Sequence, residues 1–300
     1  MPNFLQIEWD QKLERACRAV VKLARAEDLD EQQDLTTVAL VPADQRGAAT
    51  VVSRESGVAA GLASAEIVLE EFQADLRVTS QMSDGDQFAA GTSLLSLEGN
   101  VRDLLTAERT LLNLLSSLMG IATLANRYAT ELSGTKAHIY DTRKTTPGWR
   151  RLEKYAIRCG GARNHRCGLY DAILIKDNHL AQRGTDATDV ASAVQEVYNF
   201  LEKSNLSQIP VEVEVDSLDQ LMDVLPAKPH IVLLDNMSTD MLYQAVQLRD
   251  KIAPQVELEA SGGIQFEDLR KIAATGVERI SVGALTHSAR SLDIGLDWLV

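Results

Sequence analysis

The chain is 300 residues long, carries a formal net charge of −13 and is 45% hydrophobic. That apolar share excludes a disordered chain, and the acidic balance argues against a nucleic-acid partner, because phosphate backbones bind broad basic faces. No apolar run approaches the ~18 residues a membrane span needs, and the opening MPNFLQIEWDQKL lacks the basic start and apolar stretch of a signal peptide, so a cytoplasmic, enzyme-sized protein is expected.

EWDQKLERACRAVVKLARAED predicts a first helix, with Leu13, Ala16, Val20 and Leu23 at helical spacing between charges. Four strand-like pieces follow, AATVVSRES, GVAAGLASA, LRVTSQMS and SLLSLEGNV, punctuated by Gly, Asp and Ser. They read as an α+β region with a small antiparallel sheet. AERTLLNLLSSLMGIATLANRYATEL is then a long, mostly buried helix with Gly120 as a close-packing point. Beyond it the rhythm changes. HIYDTRK, AILIKDN, VEVEVDS, HIVLLDN, VELEASGG and RISVGAL alternate with helical segments such as ATDVASAVQEVYNFLEK and FEDLRKIAATG. Strand–helix alternation implies parallel strands joined by crossovers. Six such units are fewer than the eight of a closed barrel, which takes ~250 residues, so a short or open α/β barrel is expected.

One segment is out of keeping with the acidic background. Residues 141–166, DTRKTTPGWRRLEKYAIRCGGARNHR, hold eight Lys/Arg against Asp141 and Glu153. A local basic cluster of this kind suits a small, highly charged anion. Arg143, Arg163 and Arg166 can fork onto carboxylates, whereas Lys144 and Lys176 act as point charges. Arg150, Arg151, Lys154 and Arg158 fall on a helix where several must face solvent, and most of them read as structural. Cys17, Cys159 and Cys167 form no CxxC pair and show no accompanying base, so ordinary packing is expected for all three.

Chemistry in parallel α/β folds gathers at the carboxyl ends of strands. Those ends carry Asp141, Arg143 and Lys144; Lys176; Glu214; Asp235; Ser261-Gly262-Gly263; and Gly283-Ala284, with His287 close behind. The two glycine loops follow the last two strands, where barrel enzymes bind phosphate, and a helix after the first would add a favourable dipole. Glu214 and Asp235 lie on adjacent strands. They suit Mg²⁺ beside a phosphate, or they pair with the nearby Lys and Arg and leave no metal site. The residues together ask for a polycarboxylate and a phosphate-bearing co-substrate.

DTRKTTPGWRRLEKYAIRCGGARNHR, ILIKDNH, VEVEV, LLDNM, LEASGGI and ISVGALTHS, with EDLDEQQDLTT and ERTLLNLLSSLMGIAT before them, closely resemble the quinolinate phosphoribosyltransferases. The resemblance covers nearly the whole chain. It implies an N-terminal α/β sandwich domain over residues 1–122 and an incomplete α/β barrel of about six parallel strands over 123–300. It also implies the reaction of quinolinate, a pyridine dicarboxylate, with phosphoribosyl pyrophosphate and Mg²⁺ to give nicotinate mononucleotide, pyrophosphate and CO₂ for NAD synthesis. The implied assembly is a homodimer with shared active sites, or a larger one such as a hexamer. By the same resemblance Arg143, His165 and Arg166 bind the quinolinate carboxylates with Lys144 and Lys176 alongside, and Arg109 enters the neighbouring subunit's site. Glu214 and Asp235 hold the ribose hydroxyls and the metal-linked end, directly or through water. Ser261, Gly262, Gly263, Gly283 and His287 surround the 5′-phosphate. The chain departs from the family at Met119, where serine is common before Gly-Ile-Ala-Thr. Two other readings use the same residues: a phosphoribosyltransferase for another nitrogenous acid, and a non-catalytic binder of anionic metabolites.

Overall fold

A computed structural model describes residues 3–183 and 189–299. In chain order the elements are α1 (Gln11–Leu29), α2 (Leu35–Leu40), β1 (Arg46–Ser53), β2 (Gly57–Val58), α3 (Ser64–Phe72), β3 (Leu76–Ser80), β4 (Gln87–Phe88), β5 (Ser93–Asn100), α4 (Val101–Glu131), β6 (His138–Tyr140), α5 (Arg150–Cys159), β7 (Ile173–Ile175), α6 (Asp177–Ala181), α7 (Val190–Lys203), β8 (Val211–Val215), α8 (Leu218–Val224), β9 (Ile231–Asp235), α9 (Thr239–Ile252), β10 (Glu257–Ser261), α10 (Leu269–Ala274), β11 (Arg279–Ser281), α11 (Ala284–His287) and β12 (Ile294–Leu299). They form two compact units. One holds the residues up to Leu5, Tyr128–Arg143 and Arg163–Gly283; the other holds Gln6–Arg127, Lys144–Ala162 and the chain from Ala284 onward. The units interleave in sequence.

The unit containing the first helix is built on a four-stranded antiparallel sheet ordered β12-β1-β5-β3. Its edge strand β12 arrives from the end of the chain and runs antiparallel to β1, from Ala48 opposite Leu299 to Ser53 opposite Ile294. Asp10 caps α1 by accepting the Leu13 N–H at 2.8 Å. The buried line of α1 is Leu13, Cys17 and Val21, which faces α3 and α5. The expected apolar line ran slightly round the helix from it, and Leu23 is 65% exposed. GVAAGLASA is a strand only at Gly57–Val58 and then turns into α3. The turn is fixed by Asp84, whose carboxylate accepts the Gly61 and Leu62 N–H groups at 3.0 Å each, and Gly61 adopts φ +80°, which favours glycine. Gly120 is the expected close-packing point: a Cβ there would lie 2.0 Å from the Arg290 carbonyl oxygen. The neighbouring Met119 is fully buried.

The other unit is the open barrel. Six parallel strands are ordered β6-β11-β10-β9-β8-β7, so all six expected strands form and the first and second lie at opposite edges. The opening therefore falls between β6 and β7, whose connection is the basic stretch. The missing closure has a local cause. After β6 the chain leaves this unit to form α5 and returns at Arg163, where it makes only an isolated parallel bridge to Tyr140. The strands are short apolar runs buried on both faces, as parallel sheets require; in β9, Ile231–Leu234 are all buried. Helix α7 begins at Val190, capped by Asp189; Ala187 and Thr188, where the predicted helix started, lie outside the described residues. The segment after the first glycine loop begins as a 3-10 turn, Phe266–Asp268, followed by only six helical residues. A helix dipole acts within its first turn, so the expected dipole assistance at Gly262-Gly263 is small.

Candidate active site

Within the barrel unit the strand ends carry the expected side chains. Lys176, directly after β7, forms an ion pair with Glu214 of the adjacent β8. Its backbone N–H also donates to His179 Nδ1 at 3.0 Å. Asp235 closes β9 and accepts from Asn236 Nδ2 at 2.8 Å. Next to it, Ser261 closes β10 in register with Asp235, and the Asn236 N–H donates to the Ser261 carbonyl at 2.9 Å. Gly262 (φ +91°) and Gly263 (φ +60°) follow. A Cβ on Gly262 would fall 2.3 Å from Asn236 Oδ1, whereas one on Gly263 would meet nothing within 4 Å. The first glycine therefore serves close packing and the second faces open space. Gly283 ends this unit two residues beyond β11.

The two motifs of the basic stretch meet at Asp141. Its fully buried carboxylate accepts the His165 backbone N–H through Oδ1 and Asn164 Nδ2 through Oδ2, both at 2.8 Å. Arg143 is half-buried and Arg166 nearly buried. Burial, with the like charge of Arg143 second, holds the Arg166 guanidinium below its ordinary value. Arg166 also lines a largely apolar cleft of about 530 Å³ beside edge strand β7, with Leu169, Ile173 and Phe200 among its walls.

Beneath the rim lies a second set of charges that the sequence reading did not single out. Glu212 and Glu259 point from β8 and β10 into the barrel, and both are fully buried. His165 Nε2 lies 2.9 Å from Glu212 and 3.5 Å from Glu259. Burial pushes the Glu212 carboxyl up to about 8 against the pull of Arg279, Arg166 and Lys176. It pushes Glu259 up to about 7, with the like charge of Glu212 adding to the rise. The signal available in sequence was an acid at every second position of otherwise apolar strands, VEVEV and ELEAS, which puts Glu212 on the same face as Glu214. Among the described residues, His165, Glu212 and Glu259 are the one cluster with three potential metal-ligand atoms in mutual reach; it contains neither Glu214 nor Asp235.

Lys144, Arg109 and His287 belong to the other unit. Lys144 is exposed, and its carbonyl accepts from Thr286 Oγ1 at 2.7 Å. His287 is exposed, with Nδ1 2.8 Å from Ser288 Oγ. Arg109 projects from α4 with 69% of its side chain exposed and lines a pocket of about 470 Å³ with Asp28, Asp34 and Thr106. On α5 the expected structural cations are engaged: Arg158 pairs with Glu8, and Arg150 Nε donates to Thr145 Oγ1 at 2.9 Å. Lys154 is fully buried rather than solvent-facing. The cysteines pack as expected, and burial pushes the thiols of Cys17 and Cys159 up to about 12, far from thiolate chemistry.

Residues 34–119 match the family model described as the N-terminal domain of quinolinate phosphoribosyl transferase, and residues 121–297 match its C-terminal domain. The chain belongs to the quinolinate phosphoribosyltransferase family. It is 47% identical to the carboxylating nicotinate-nucleotide pyrophosphorylase of Mycobacterium leprae over 284 residues, which cover 94% of this chain and 97% of that one. The chloroplastic counterpart of Arabidopsis thaliana is 38% identical over 93% of this chain and 82% of its own. Among solved structures, the nicotinate-nucleotide pyrophosphorylase of Francisella tularensis superposes with a TM-score of 0.88 at 37% identity, covering 99% of this chain and 100% of that one. Human nicotinic acid phosphoribosyltransferase, at 15% identity and a TM-score of 0.59, shares the fold alone. No helix among the described residues is long and apolar enough to cross a membrane.

Proposed function

We propose that the chain transfers the phosphoribosyl group of phosphoribosyl pyrophosphate to quinolinate and decarboxylates the product, giving nicotinate mononucleotide, pyrophosphate and CO₂ on the route to NAD. Family membership over nearly the whole chain carries this reading, and the charge layout of the barrel rim supports it. We assign the quinolinate carboxylates to Arg143 and Arg166, whose planar guanidinium groups suit paired oxygens, with Lys144 alongside. Lys176 and Glu214 form a pair that would join the two substrates: the ammonium faces a carboxylate of quinolinate and the glutamate faces the ribose hydroxyls. Ser261, Gly262, Gly263 and Gly283 are assigned to the 5′-phosphate, for which the open space at Gly263 leaves room.

The pyridine nitrogen then attacks C1 of the ribose. The new N–C1 bond forms as the C1–O bond to pyrophosphate breaks, and positive charge builds on the sugar in between. Holding both reactants in line lowers the barrier with no covalent participation by the protein. Alkylation leaves the ring nitrogen positive. The bond to the 2-carboxylate breaks, CO₂ departs, and the electron pair stays on the adjacent carbon as an ylide until a proton arrives. We assign that proton to Lys176, whose ammonium the Glu214 pair holds at the strand end.

Mg²⁺ suits Glu214 and Asp235 in kind, since both are hard oxygen donors on adjacent strands. Both already have protein partners, which favours contact through water and substrate phosphate. When bound, the ion supplies charge neutralisation for the departing pyrophosphate. We further assign Arg109 to the site of a partner subunit in a homodimer. Mixed Arg109→Ala and Lys144→Ala chains should then regain activity, and failure to do so after confirmed subunit exchange would dismiss the shared site. The reaction itself is tested with quinolinate, phosphoribosyl pyrophosphate and Mg²⁺. Nicotinate mononucleotide and CO₂ should appear one for one; calorimetric binding of quinolinate without turnover would favour a non-catalytic binder.

A further inference from the structure

The buried side of the barrel shows how the basic rim is held. His165 is gripped from every direction. Its backbone N–H donates to Asp141 at 2.8 Å, its Nδ1 accepts the Arg166 backbone N–H at 2.8 Å, and its Nε2 lies 2.9 Å from Glu212. The face of the ring stacks on Phe4, with centroids 4.2 Å apart and planes at 27°.

Phe4 arrives from far away in sequence. It clusters with Tyr140, Ala172 and Ile231, meets the edge of Tyr140 at 6.3 Å and lies beneath the Arg279 guanidinium at 5.1 Å. Arg279 also donates to Asn3 Oδ1 at 2.9 Å, which ties this segment down. Tyr140 ends β6 and Ala172 precedes β7, so Phe4 fills the gap at the seam where the sheet does not close.

The hydrogen bonds also fix the ring's tautomer. An Nδ1 that accepts a backbone N–H carries a lone pair, so in the neutral ring the proton sits on Nε2, the nitrogen 2.9 Å from Glu212, whose buried carboxylate oxygens have no hydrogen-bond partner among the described residues. A cation bound among His165, Glu212 and Glu259 would need a lone pair at that same Nε2. The geometry therefore favours a clamp of close packing and charge around a ring protonated at Nε2 over a metal site.

We propose that Phe4 and Glu212 are positioning residues that act through His165 to hold the backbone of Arg166, and with it the guanidinium offered to the substrate. The proposal rests on the reading that Arg166 grips a quinolinate carboxylate. His165 then acts through its neighbour, with Nδ1 accepting the Arg166 backbone N–H and Nε2 lying against Glu212. Small displacements of a gripping group are costly, because they act on the bound geometry directly.

The test compares Glu212→Leu with Glu212→Gln, and Phe4→Ala with Phe4→Leu, in the full chain. Glu212→Leu removes one member of a buried charged cluster and costs stability, so each variant's unfolding midpoint is measured beside its kinetics, and Glu212→Gln and Phe4→Leu, which keep the fill, decide the test. Glu212→Leu and Phe4→Ala should raise the KM for quinolinate roughly tenfold and leave the KM for phosphoribosyl pyrophosphate unchanged. Glu212→Gln, which retains an acceptor, should recover most of the loss. Nitrogen-15 spectra of the wild-type imidazole should show a bare Nδ1 and a protonated Nε2. An unchanged quinolinate KM, an equal rise for both substrates, or a protonated Nδ1 would overturn the clamp. So would Zn²⁺ binding by the wild type that Glu212→Gln abolishes, which would establish a metal site instead. A wild type that fails to turn over quinolinate would overturn the functional reading, and the imidazole spectrum would still decide the clamp.

Discussion

Two glutamates on one strand have opposite circumstances. Glu214 and Glu212 are one side-chain repeat apart on β8 and share a face of the sheet, yet Glu214 reaches the rim and pairs with Lys176 while Glu212 is fully buried against His165. At the rim, the Lys176 ammonium faces the Glu214 carboxylate. One step down, the loss of solvent pushes the carboxyl up to about 8 and makes it part of the scaffold. On this strand, one side-chain repeat separates a carboxylate at the rim from one sealed in the interior.

The largest expected effect tests the rim. A charge-assisted contact is worth ~2–4 kcal/mol, so Arg143→Ala should lower kcat/KM for quinolinate roughly 30- to 1000-fold while the protein still folds. Unchanged turnover would remove Arg143 from the site. Glu214→Ala should cost about 10- to 100-fold and raise the KM of both substrates, because it releases Lys176 as well as the ribose contact. A rise for one substrate only would separate the two assignments. Gly262→Ala should raise the KM for phosphoribosyl pyrophosphate and lower stability by ~1–3 kcal/mol, since φ +91° and the nearby Asn236 leave no place for a methyl group. Normal kinetics with a normal unfolding midpoint would show that the loop adapts.

The smallest effect probes the interior. Burial raises Glu259 from 4.5 to about 7, so the folded protein holds that proton more tightly than the unfolded chain. This contribution to stability is complete below pH ~4.5 and is lost as pH rises through about 7, a fall of ~1–3 kcal/mol. Urea midpoints measured across that range should decline in the wild type and decline less in Glu259→Gln. Equal slopes would mean that Glu259 is not the group responsible.

The rim was the part most legible in sequence. VEVEV, IVLLD and the other short apolar runs announce buried parallel strands, and their last residues carry the polar groups. Three features were hidden for physical reasons. Strand β12 is half-exposed along most of its length and owes its state to β1, nearly the whole chain away, so no local periodicity marks it. GVAAGLASA has strand-like composition, but its turn depends on the distant Asp84. Phe4 is a single aromatic in a short irregular segment, and its importance comes from a gap between strands that only the folded barrel creates. His165 and Arg166 drew notice through their motif; the buried carboxylates beside His165 looked like ordinary strand alternation.

The central claim is that the rim is built for two adjacent carboxylates on a pyridine. It is tested most directly by comparing kcat/KM for quinolinate and for nicotinate, which lacks the 2-carboxylate, under identical phosphoribosyl pyrophosphate and Mg²⁺. A site whose buried cations are left unpaired by the smaller acid should prefer quinolinate by ~10³-fold or more, with CO₂ released only from the dicarboxylate. Equal use of the two acids, or nucleotide formed from quinolinate without CO₂, would contradict it.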